Sequence, residues 1–377
     1  MPDTLVIGAG PFGLALAAHL KNQGIEHLVI GKPMEFWEKH MPEGMYLRSG
    51  CDWHLDVNNT NTIDAFAKTQ QHTIKEVEPI SLNFYLKYAH WFIGQTRLNI
   101  KRAYVTTLKQ AKNGFTATSD DGDSIEAKHV VVATGFKYFT CTPPELAAVL
   151  PQGRYSHTCN TNELSQFSGK RVLIIGGRQS AFEWTALLRE KHAAEVHVSY
   201  RHDTPDFVAS DWNWVMDVVN NIALHPSWFR ELDQESKEQY RYKLWAEGRL
   251  KVEPWLKERV QHDNITLHPH TQVERTTITN DNAIKIYLNN GASFEVDHII
   301  TATGYKVETK QLPFLHADLL ASLECSNGFP QLDTHFQSNV PGLFFTSFMA
   351  GQDFGPFFGF TIGVRAAAQL VAQGLKT

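Results

Sequence analysis

One stretch near the middle of the chain decides the fold that we expect: Lys170-Arg171-Val172-Leu173-Ile174-Ile175-Gly176-Gly177-Arg178-Gln179-Ser180-Ala181-Phe182-Glu183. A short apolar run rich in β-branched residues, followed by glycines and then by helix-forming residues, predicts a buried parallel strand, a tight turn and the start of a helix. Unpaired peptide N–H groups at a helix start attract phosphate. The stretch therefore predicts a turn that holds a nucleotide.

A second copy of this pattern opens the chain, as Leu5-Val6-Ile7-Gly8-Ala9-Gly10-Pro11-Phe12-Gly13-Leu14. Its three glycines have the G-x-G-x-x-G spacing: the first permits the turn, the second lets the backbone approach a pyrophosphate, and the third lets helix and strand pack. An apolar strand precedes these glycines and an amphipathic helix follows them, so a purely structural turn is the less favoured interpretation. The residues expected to contact a dinucleotide are Gly8, Gly10, Pro11, Phe12 and Gly13.

Two further strands flank the central stretch and resemble each other. Val130-Val131-Val132-Ala133-Thr134-Gly135-Phe136 and Ile299-Ile300-Thr301-Ala302-Thr303-Gly304-Tyr305 are both apolar runs that end in Ala-Thr-Gly and an aromatic residue. Their symmetry predicts an inserted domain that the chain enters and leaves through matched connections. We therefore predict an α/β fold with two Rossmann-like dinucleotide-binding domains, the second inserted in the first. Residues 1–140 and 303–377 form the first domain in this prediction, and residues 150–302 form the second.

The second domain is predicted to carry a helical insertion at about residues 204–256. This part is rich in tryptophan and in charged residues, which indicates helices that bury aromatic anchors and face solvent. Later, Asn289-Asn290-Gly291 indicates a hairpin turn, as Asp120-Asp121-Gly122-Asp123 does in the first domain. The last helix is expected to begin at Pro356, with Arg365 well inside it.

Length and composition limit the class of ligand. A chain of 377 residues is long enough for two cores. Its 35 basic and 40 acidic residues give a formal charge of -5, which favours neither nucleic acid nor an anionic membrane as partner. Four cysteines without a C-x-x-C pair predict buried thiols instead of a redox dithiol or a metal site. With no signal peptide and no apolar run of membrane length, we expect a cytoplasmic protein that binds small molecules.

Residues 33–60 have no regular period and are rich in functional side chains. Long irregular segments often line an active site. The candidate site residues here are Arg48, Ser49, Asp52 and His54. A structural loop with internally paired polar groups is the alternative. The segment follows Gly31-Lys32, which ends the second strand where an acid would suit a ribose.

The strand that runs from Glu195 to Tyr200 ends in Arg201-His202. A cation at this position suits the 2′-phosphate of NADP, whereas a carboxylate would suit NAD. A surface Arg-His pair without a ligand is the alternative. Arg178 replaces the second glycine of the central turn, where it can form a charge-assisted fork to a pyrophosphate. The second domain is therefore predicted to bind NADPH.

Together these residues resemble the two-dinucleotide flavoproteins, and more narrowly the class B flavin-dependent monooxygenases, which include flavin-containing, Baeyer-Villiger and N-hydroxylating enzymes. The likeness covers nearly the whole chain, from the first turn through both Ala-Thr-Gly strands and the second turn to Pro341-Gly342-Leu343-Phe344-Phe345. Gly153-Arg154-Tyr155-Ser156-His157 resembles the G-x-x-x-H core of the family's fingerprint, although Pro151 and Thr161 replace the outer aromatic residues.

The resemblance implies FAD in the first domain and NADPH in the second. It implies that NADPH reduces FAD, that O2 adds to form a C4a-hydroperoxide, and that one oxygen atom passes to a small organic substrate. Arg48, Asp52 and His54 are the candidates for catalytic residues, and the last helix would direct its positive end at the flavin. The residues expected to hold the cofactors are Gly8, Gly10, Pro11, Phe12, Gly13, Gly31, Lys32, Trp37, Arg48, Ser49, Val105, Ala133, Thr134, Gly135, Gly176, Arg178, Gln179, Ser180, Arg201, His202, Thr303, Gly304, Gln352, Asp353 and Phe354.

Two other functions stay open at this point. One is an NAD(P)H-dependent flavoprotein reductase or oxidase with the fold of thioredoxin reductase, but without a redox dithiol. The other is a catalytically silent flavoprotein that serves as a binding partner. The expected partners are a small organic substrate and O2, and a homodimer is a further expectation.

Overall fold

The computed structural model describes residues 2–376. Within them, strands β1 to β20 are, in chain order, Thr4–Ile7, His27–Ile30, Ile100–Lys101, Val105–Ala111, Gly114–Ser119, Ser124–Ala127, His129–Val132, Tyr155–His157, Arg171–Ile175, Glu195–Ser199, Asp206–Phe207, Lys251–Val252, Ile265–His268, Val273–Ile278, Ile284–Leu288, Ser293–Val296, His298–Thr301, Cys325–Ser326, Phe329–Pro330 and Leu343–Phe345. Helices α1 to α13 are Pro11–Asn22, Glu35–Lys39, Ile63–Thr69, Ile74–Val77, Leu82–Thr96, Pro144–Ala147, Gln179–Glu190, Asn213–Leu224, Trp228–Glu231, Gln234–Trp245, Lys257–Val260, Ala317–Ser322 and Val364–Gly374.

Two five-stranded parallel sheets organise these residues. The first has the order β20-β7-β1-β2-β3, and the second has the order β13-β10-β9-β17-β8. Their central strands, β1 and β9, are apolar because helices cover parallel sheets on both faces. The predicted α/β fold with two Rossmann-like sheets is confirmed. All strands of the second sheet lie between two parts of the first in the sequence, but the predicted domain boundaries themselves stay a prediction.

The two connections between the sheets lie side by side. The Cys141 N–H donates to the Gly304 carbonyl at 3.0 Å, and the Lys306 N–H donates to the Phe139 carbonyl at 2.8 Å. The rings of Phe136 and Tyr305, which end the two similar segments, are 5.0 Å apart. The sequence symmetry thus corresponds to two paired connections.

The two ends of the helical insertion are held together by a pair of short strands. Strands β11 and β12 pair in parallel, with Asp206 opposite Lys251, so the two ends of the insertion lie together. Between them the chain forms α8, α9 and α10, and α10 continues into a π-helical turn at Ala246–Leu250. The predicted hairpin turns also form, between β5 and β6 and between β15 and β16.

The expected start of the last helix was wrong. Pro356 opens a 3-10 turn, Pro356–Gly359, and a second such turn precedes α13, which begins at Val364. The reason is local: Phe360 has extended backbone angles, φ -123° and ψ 161°, which interrupt any helix. Arg365 consequently lies in the first turn of α13 and not well inside a longer helix.

No helix formed by residues 2–376 is both long and apolar enough to cross a membrane.

Candidate functional site

The first glycine turn joins β1 to α1 and leaves room for a ligand. A Cβ at Gly8 would lie 2.4 Å from the Ala133 carbonyl oxygen, and a Cβ at Gly13 would lie 1.9 Å from the Gly8 carbonyl oxygen. Both glycines are therefore required by packing. A Cβ at Gly10 would meet no atom within 4 Å, so the space in front of Gly10 is open, as an approaching pyrophosphate requires.

The N-terminus of α1 faces this open space. Gly10 precedes the helix and Pro11 is its first residue, and no side chain caps the first N–H groups. These donors and the helix dipole can stabilise a phosphate. Nearby, the Thr134 hydroxyl is buried and has no hydrogen-bond partner among residues 2–376. An open cradle beside an unsatisfied hydroxyl fits the dinucleotide that the sequence predicts.

The end of β2 approaches the same turn. A Cβ at Gly31 would lie 2.8 Å from the Ala9 nitrogen, so the absence of a side chain permits this close approach. The Lys32 and Lys137 ammonium groups lie 4.7 Å and 4.1 Å from the centre of the Tyr104 ring. Both lysines also contact the Glu35 carboxylate, at 3.8 Å and 3.7 Å. Val105 follows Tyr104 in the sequence and is buried at the start of β4, and its contact with a cofactor stays a prediction.

The second glycine turn joins β9 to α7 and is partly covered. A Cβ at Gly176 would lie 2.6 Å from the Ala302 carbonyl oxygen, and α7 also begins without a side-chain cap. The Arg178 guanidinium, however, donates to the Arg249 carbonyl and lies 5.6 Å from the Trp245 ring. The Gln179 side chain accepts from the Glu253 N–H at 3.0 Å. The insertion therefore packs directly against the second turn, and Ser180 beside it is exposed.

Cations gather around this second turn. Arg201 is exposed and His202 is partly buried at the end of β10, next to Arg178. Burial, and then the charges of Arg249 and Arg201, lower the pKa of Arg178. Burial also lowers the pKa of His202, and Arg178 and Arg201 add to the effect. The surroundings of the turn therefore favour an anion.

Arg48 makes contacts that differ from the predicted place over a flavin ring. Its Nε lies 2.8 Å from the Glu253 carboxylate, and its two terminal nitrogens donate to the Gly248 and Glu247 carbonyls at 2.9 Å each. Its guanidinium also lies 5.3 Å from the Trp212 ring. These contacts join the irregular segment to the insertion and support the structural-loop alternative for Arg48. Its catalytic role stays a prediction.

Three other predicted residues meet at the start of α13. The Arg365 guanidinium donates to the Asp52 carbonyl at 3.1 Å and contacts the His54 Nε2 atom at 3.1 Å. The Ser49 hydroxyl accepts from the Thr361 hydroxyl at 3.1 Å. Arg365 was not predicted as a site residue, because the sequence pattern placed it well inside the last helix and not in its first turn. Asp52 is exposed overall, but partial burial of its carboxyl raises the pKa of that group.

We expect His54 to make the protein less stable as the pH falls. Burial, and then Arg365, lowers the pKa of His54 from 6.5 to about 4. The unfolded chain therefore binds the proton first, so the stabilisation is complete above pH 6.5 and is lost as the pH falls towards 4. The contribution is at most about 3 kcal/mol. Thermal unfolding of wild type and His54→Gln, at about pH 7 and about pH 4.5, should show the smaller acid-induced loss in the variant. Equal losses in both would exclude His54 as the cause.

The remaining predicted residues largely contact other protein groups. The Asp353 carboxylate accepts from the Leu332 N–H at 2.9 Å, and the Gln352 side chain accepts from Asn327 at 3.2 Å. Phe354 is fully buried and stacks on Phe336 with ring centres 3.8 Å apart.

Trp37 and the second Ala-Thr-Gly segment also contact other protein groups. The Trp37 ring lies 4.8 Å from the Tyr85 ring, and the Thr303 hydroxyl donates to the Cys141 carbonyl at 2.5 Å. The Gly304 carbonyl lies 3.0 Å from the Nε2 atom of His157, the histidine of the fingerprint-like core. These residues support the site or its core, and their contact with a cofactor stays a prediction.

Comparison with protein families identifies the chain's relatives. The profile described as pyridine nucleotide-disulphide oxidoreductase matches residues 5–225, and a second profile of the same description matches residues 244–347. The ferredoxin–NADP reductase of Bradyrhizobium sp. (strain ORS 278) is 28% identical over 211 residues, which are 55% of this chain and 54% of that protein. The same enzyme of Mesorhizobium japonicum is 30% identical over 212 residues, with the same coverage. The match thus spans about half the length of these relatives.

Solved structures resemble the chain over its whole length. One is an ornithine N-hydroxylase of Kutzneria sp. 744, described with reduced FAD, NADP⁺ and L-ornithine, with a TM-score of 0.81 and 13% sequence identity. The match covers 100% of this chain and 99% of the hydroxylase chain. A flavin-containing monooxygenase of Stenotrophomonas maltophilia has a TM-score of 0.69 and 17% identity, with coverage of 100% and 99%. The bacillithiol disulfide reductase of Staphylococcus aureus has a TM-score of 0.67 and 20% identity, with coverage of 99% and 97%. At these identities the likeness concerns the fold.

Proposed function

The chain belongs to the pyridine nucleotide-disulphide oxidoreductase family, and within it we propose that the protein is an FAD-dependent monooxygenase. It takes electrons from NADPH and transfers one oxygen atom of O2 to a small organic substrate. The observation that carries the proposal is the pair of glycine turns, each at the end of a buried parallel sheet and each followed by a helix without a side-chain cap. Two such turns suit two dinucleotides in one chain.

The residues of the chain have separate tasks in this proposal. Gly10 and the first N–H groups of α1 bind the pyrophosphate of FAD, and Thr134 donates or accepts a hydrogen bond beside it. Arg178 and Arg201 bind the phosphates of NADPH. FAD, when bound, supplies the redox and oxygen chemistry, while the protein orients the reactants and excludes water.

Asp52 is the candidate for moving a proton. The pKa of its carboxyl is raised towards neutral pH, and a general acid or base works best when its pKa lies near the working pH. Its side chain makes no ion pair with any group among residues 2–376. His54 and Arg365 hold the adjacent backbone in place, because Arg365 contacts both the His54 ring and the Asp52 carbonyl.

The second candidate function is a reductase that passes electrons from NADPH to an external acceptor. The curated relatives favour it, since they are ferredoxin–NADP reductases. A disulfide acceptor is the least favoured, because the four cysteines are free thiols and no C-x-x-C pair exists in the sequence. We further propose that the enzyme works in the cytoplasm; a homodimer stays a prediction.

Rapid mixing separates these functions. The protein is loaded with FAD, reduced anaerobically with NADPH and mixed with O2 or with a ferredoxin while flavin absorbance is followed. A monooxygenase should show a delay before the oxidised absorbance returns in O2, and ferredoxin should accept few electrons. A single fast return in O2 together with rapid ferredoxin reduction would support the reductase. If neither NADPH nor NADH reduces the flavin, the protein is better described as the catalytically silent flavoprotein.

A further inference from the structure

We propose that Arg249, on the π-helical turn Ala246–Leu250 of the insertion, belongs to the second nucleotide site and recognises the ribose phosphate that distinguishes NADPH from NADH. This inference rests on the proposed use of a nicotinamide nucleotide. It adds to the predicted Arg178 and Arg201 a third residue, 71 positions beyond Arg178 in the sequence, from an element that the dinucleotide-binding motif does not contain.

The backbone contacts place Arg249 at the second turn. Arg178, which immediately precedes α7, donates from its guanidinium to the carbonyl of Arg249. The neighbouring Gln179 accepts from the Glu253 N–H at 3.0 Å, four residues beyond Arg249. The turn Ala246–Leu250 thus forms one wall of the space in front of the second glycine turn.

The side chain of Arg249 is exposed to solvent. Burial, followed by the charge of Arg48, nevertheless lowers the pKa of its guanidinium. A cation that is accessible but partly desolvated is not stabilised by its own surroundings. A bound anion would remove this cost.

Two carboxylates of the insertion are already paired with cations. Arg48 binds Glu253 at 2.8 Å, and Lys251 binds Glu247 at 2.7 Å. In contrast, Arg178, Arg201 and Arg249 form no ion pair with residues 2–376.

These three arginines can therefore offer their donors to one ligand. Arg201 follows β10 and Arg178 follows β9, and these strands are neighbours whose carboxyl ends share one edge of the sheet. Arg249 reaches the same edge from the insertion. Planar guanidinium groups bind phosphate through paired, charge-assisted hydrogen bonds, so the cluster suits a doubly charged phosphate monoester better than a ribose hydroxyl.

The test measures binding of two adenosine probes to the full chain loaded with FAD. Calorimetric titrations use 2′,5′-ADP, which carries the additional phosphate, and 5′-AMP, which does not. We expect Arg249→Ala to weaken 2′,5′-ADP binding about tenfold or more and to change 5′-AMP binding less than about twofold. Arg249→Lys should restore part of the loss, since it keeps the charge but loses the planar fork. Arg241→Ala, an exposed arginine on α10 of the same insertion, is the matched control and should bind both probes as wild type does.

The outcomes separate this inference from the proposed function. If wild type prefers 2′,5′-ADP but Arg249→Ala keeps the same preference, the assignment of Arg249 is wrong and the use of NADPH stands. If Arg249→Ala weakens both probes equally, Arg249 does not recognise the ribose phosphate. If wild type does not distinguish the probes, the NADPH assignment in the proposed function fails. Thermal unfolding of each variant checks that it is folded, which we expect because Arg249 is exposed.

Discussion

Gly10→Ala is expected to leave the protein folded but to remove most of its FAD, whereas Gly13→Ala is expected to disrupt the first domain itself. At Gly13, the new Cβ would lie 1.9 Å from the Gly8 carbonyl oxygen, a backbone atom that cannot move aside alone. Helix α1 would have to separate from β1, at a cost of about 3 kcal/mol or more. At Gly10, the new Cβ would meet no protein atom and the φ of -85° suits any residue.

The difference between these two glycines follows from what each one contacts. The space in front of Gly10 is where a pyrophosphate must approach the backbone, so a methyl group there should weaken FAD binding about tenfold or more. Its effect on unfolding should stay within about 1 kcal/mol, since the poorer capping by alanine is offset by the smaller conformational entropy of the unfolded chain. The flavin-to-protein absorbance ratio after gel filtration measures the first effect, and thermal unfolding of the flavin-free protein measures the second.

Gly94→Ala provides the control for this pair. Gly94 lies in the last turn of α5, and its Cβ would also meet no atom within 4 Å. Alanine there should raise stability by about 0.5 to 1 kcal/mol and leave FAD binding unchanged. Full retention of FAD by Gly10→Ala would show that the first glycine turn does not hold the pyrophosphate.

Local patterns in the sequence were sufficient to predict the architecture of the two sheets. An apolar run that breaks into glycines has one common solution, a buried strand followed by a turn and a helix, so β1 with α1 and β9 with α7 could be predicted. The hairpin turns after β5 and β15 were predictable for the same reason, because their turn residues determine the backbone angles. The start of the last helix was not predicted, since the extended backbone at Phe360 interrupts the helix.

The site contacts depend on residues that are distant in the sequence. Arg48 and Glu253 are 205 positions apart, and Arg365 and His54 are 311 positions apart. No spacing rule connects such pairs, so the sequence could place Arg48 in the irregular segment but could not find its partner. The same holds for Arg249, whose position beside Arg178 depends on how the insertion folds back over the second turn.

Breaking the Arg48–Glu253 pair is expected to destabilise the protein strongly, by about 3 kcal/mol. The Glu253 side chain is only 7% exposed and the Arg48 side chain is 17% exposed, at a distance of 2.8 Å. Arg48→Ala would leave a buried carboxylate without its partner and would remove a donor from the Gly248 and Glu247 carbonyls, although the Ser210 hydroxyl still donates to the Glu247 carbonyl. The pair holds the irregular segment against the insertion, so the loss should appear as a lower free energy of unfolding in denaturant titrations.

A double-mutant cycle distinguishes this structural role from a catalytic one. Arg48→Ala combined with Glu253→Gln should lose less stability than the sum of the single changes, because the double variant no longer buries an unpaired charge. Arg48→Lys should not restore wild-type stability, since an ammonium group cannot reach the carboxylate and both carbonyls with one planar fork. Lys68→Ala serves as the control, because the Lys68–Asp64 pair is exposed and should contribute little. If Arg48→Ala instead unfolds like wild type but loses NADPH oxidation per bound flavin, the original prediction of Arg48 as a catalytic residue is the better one.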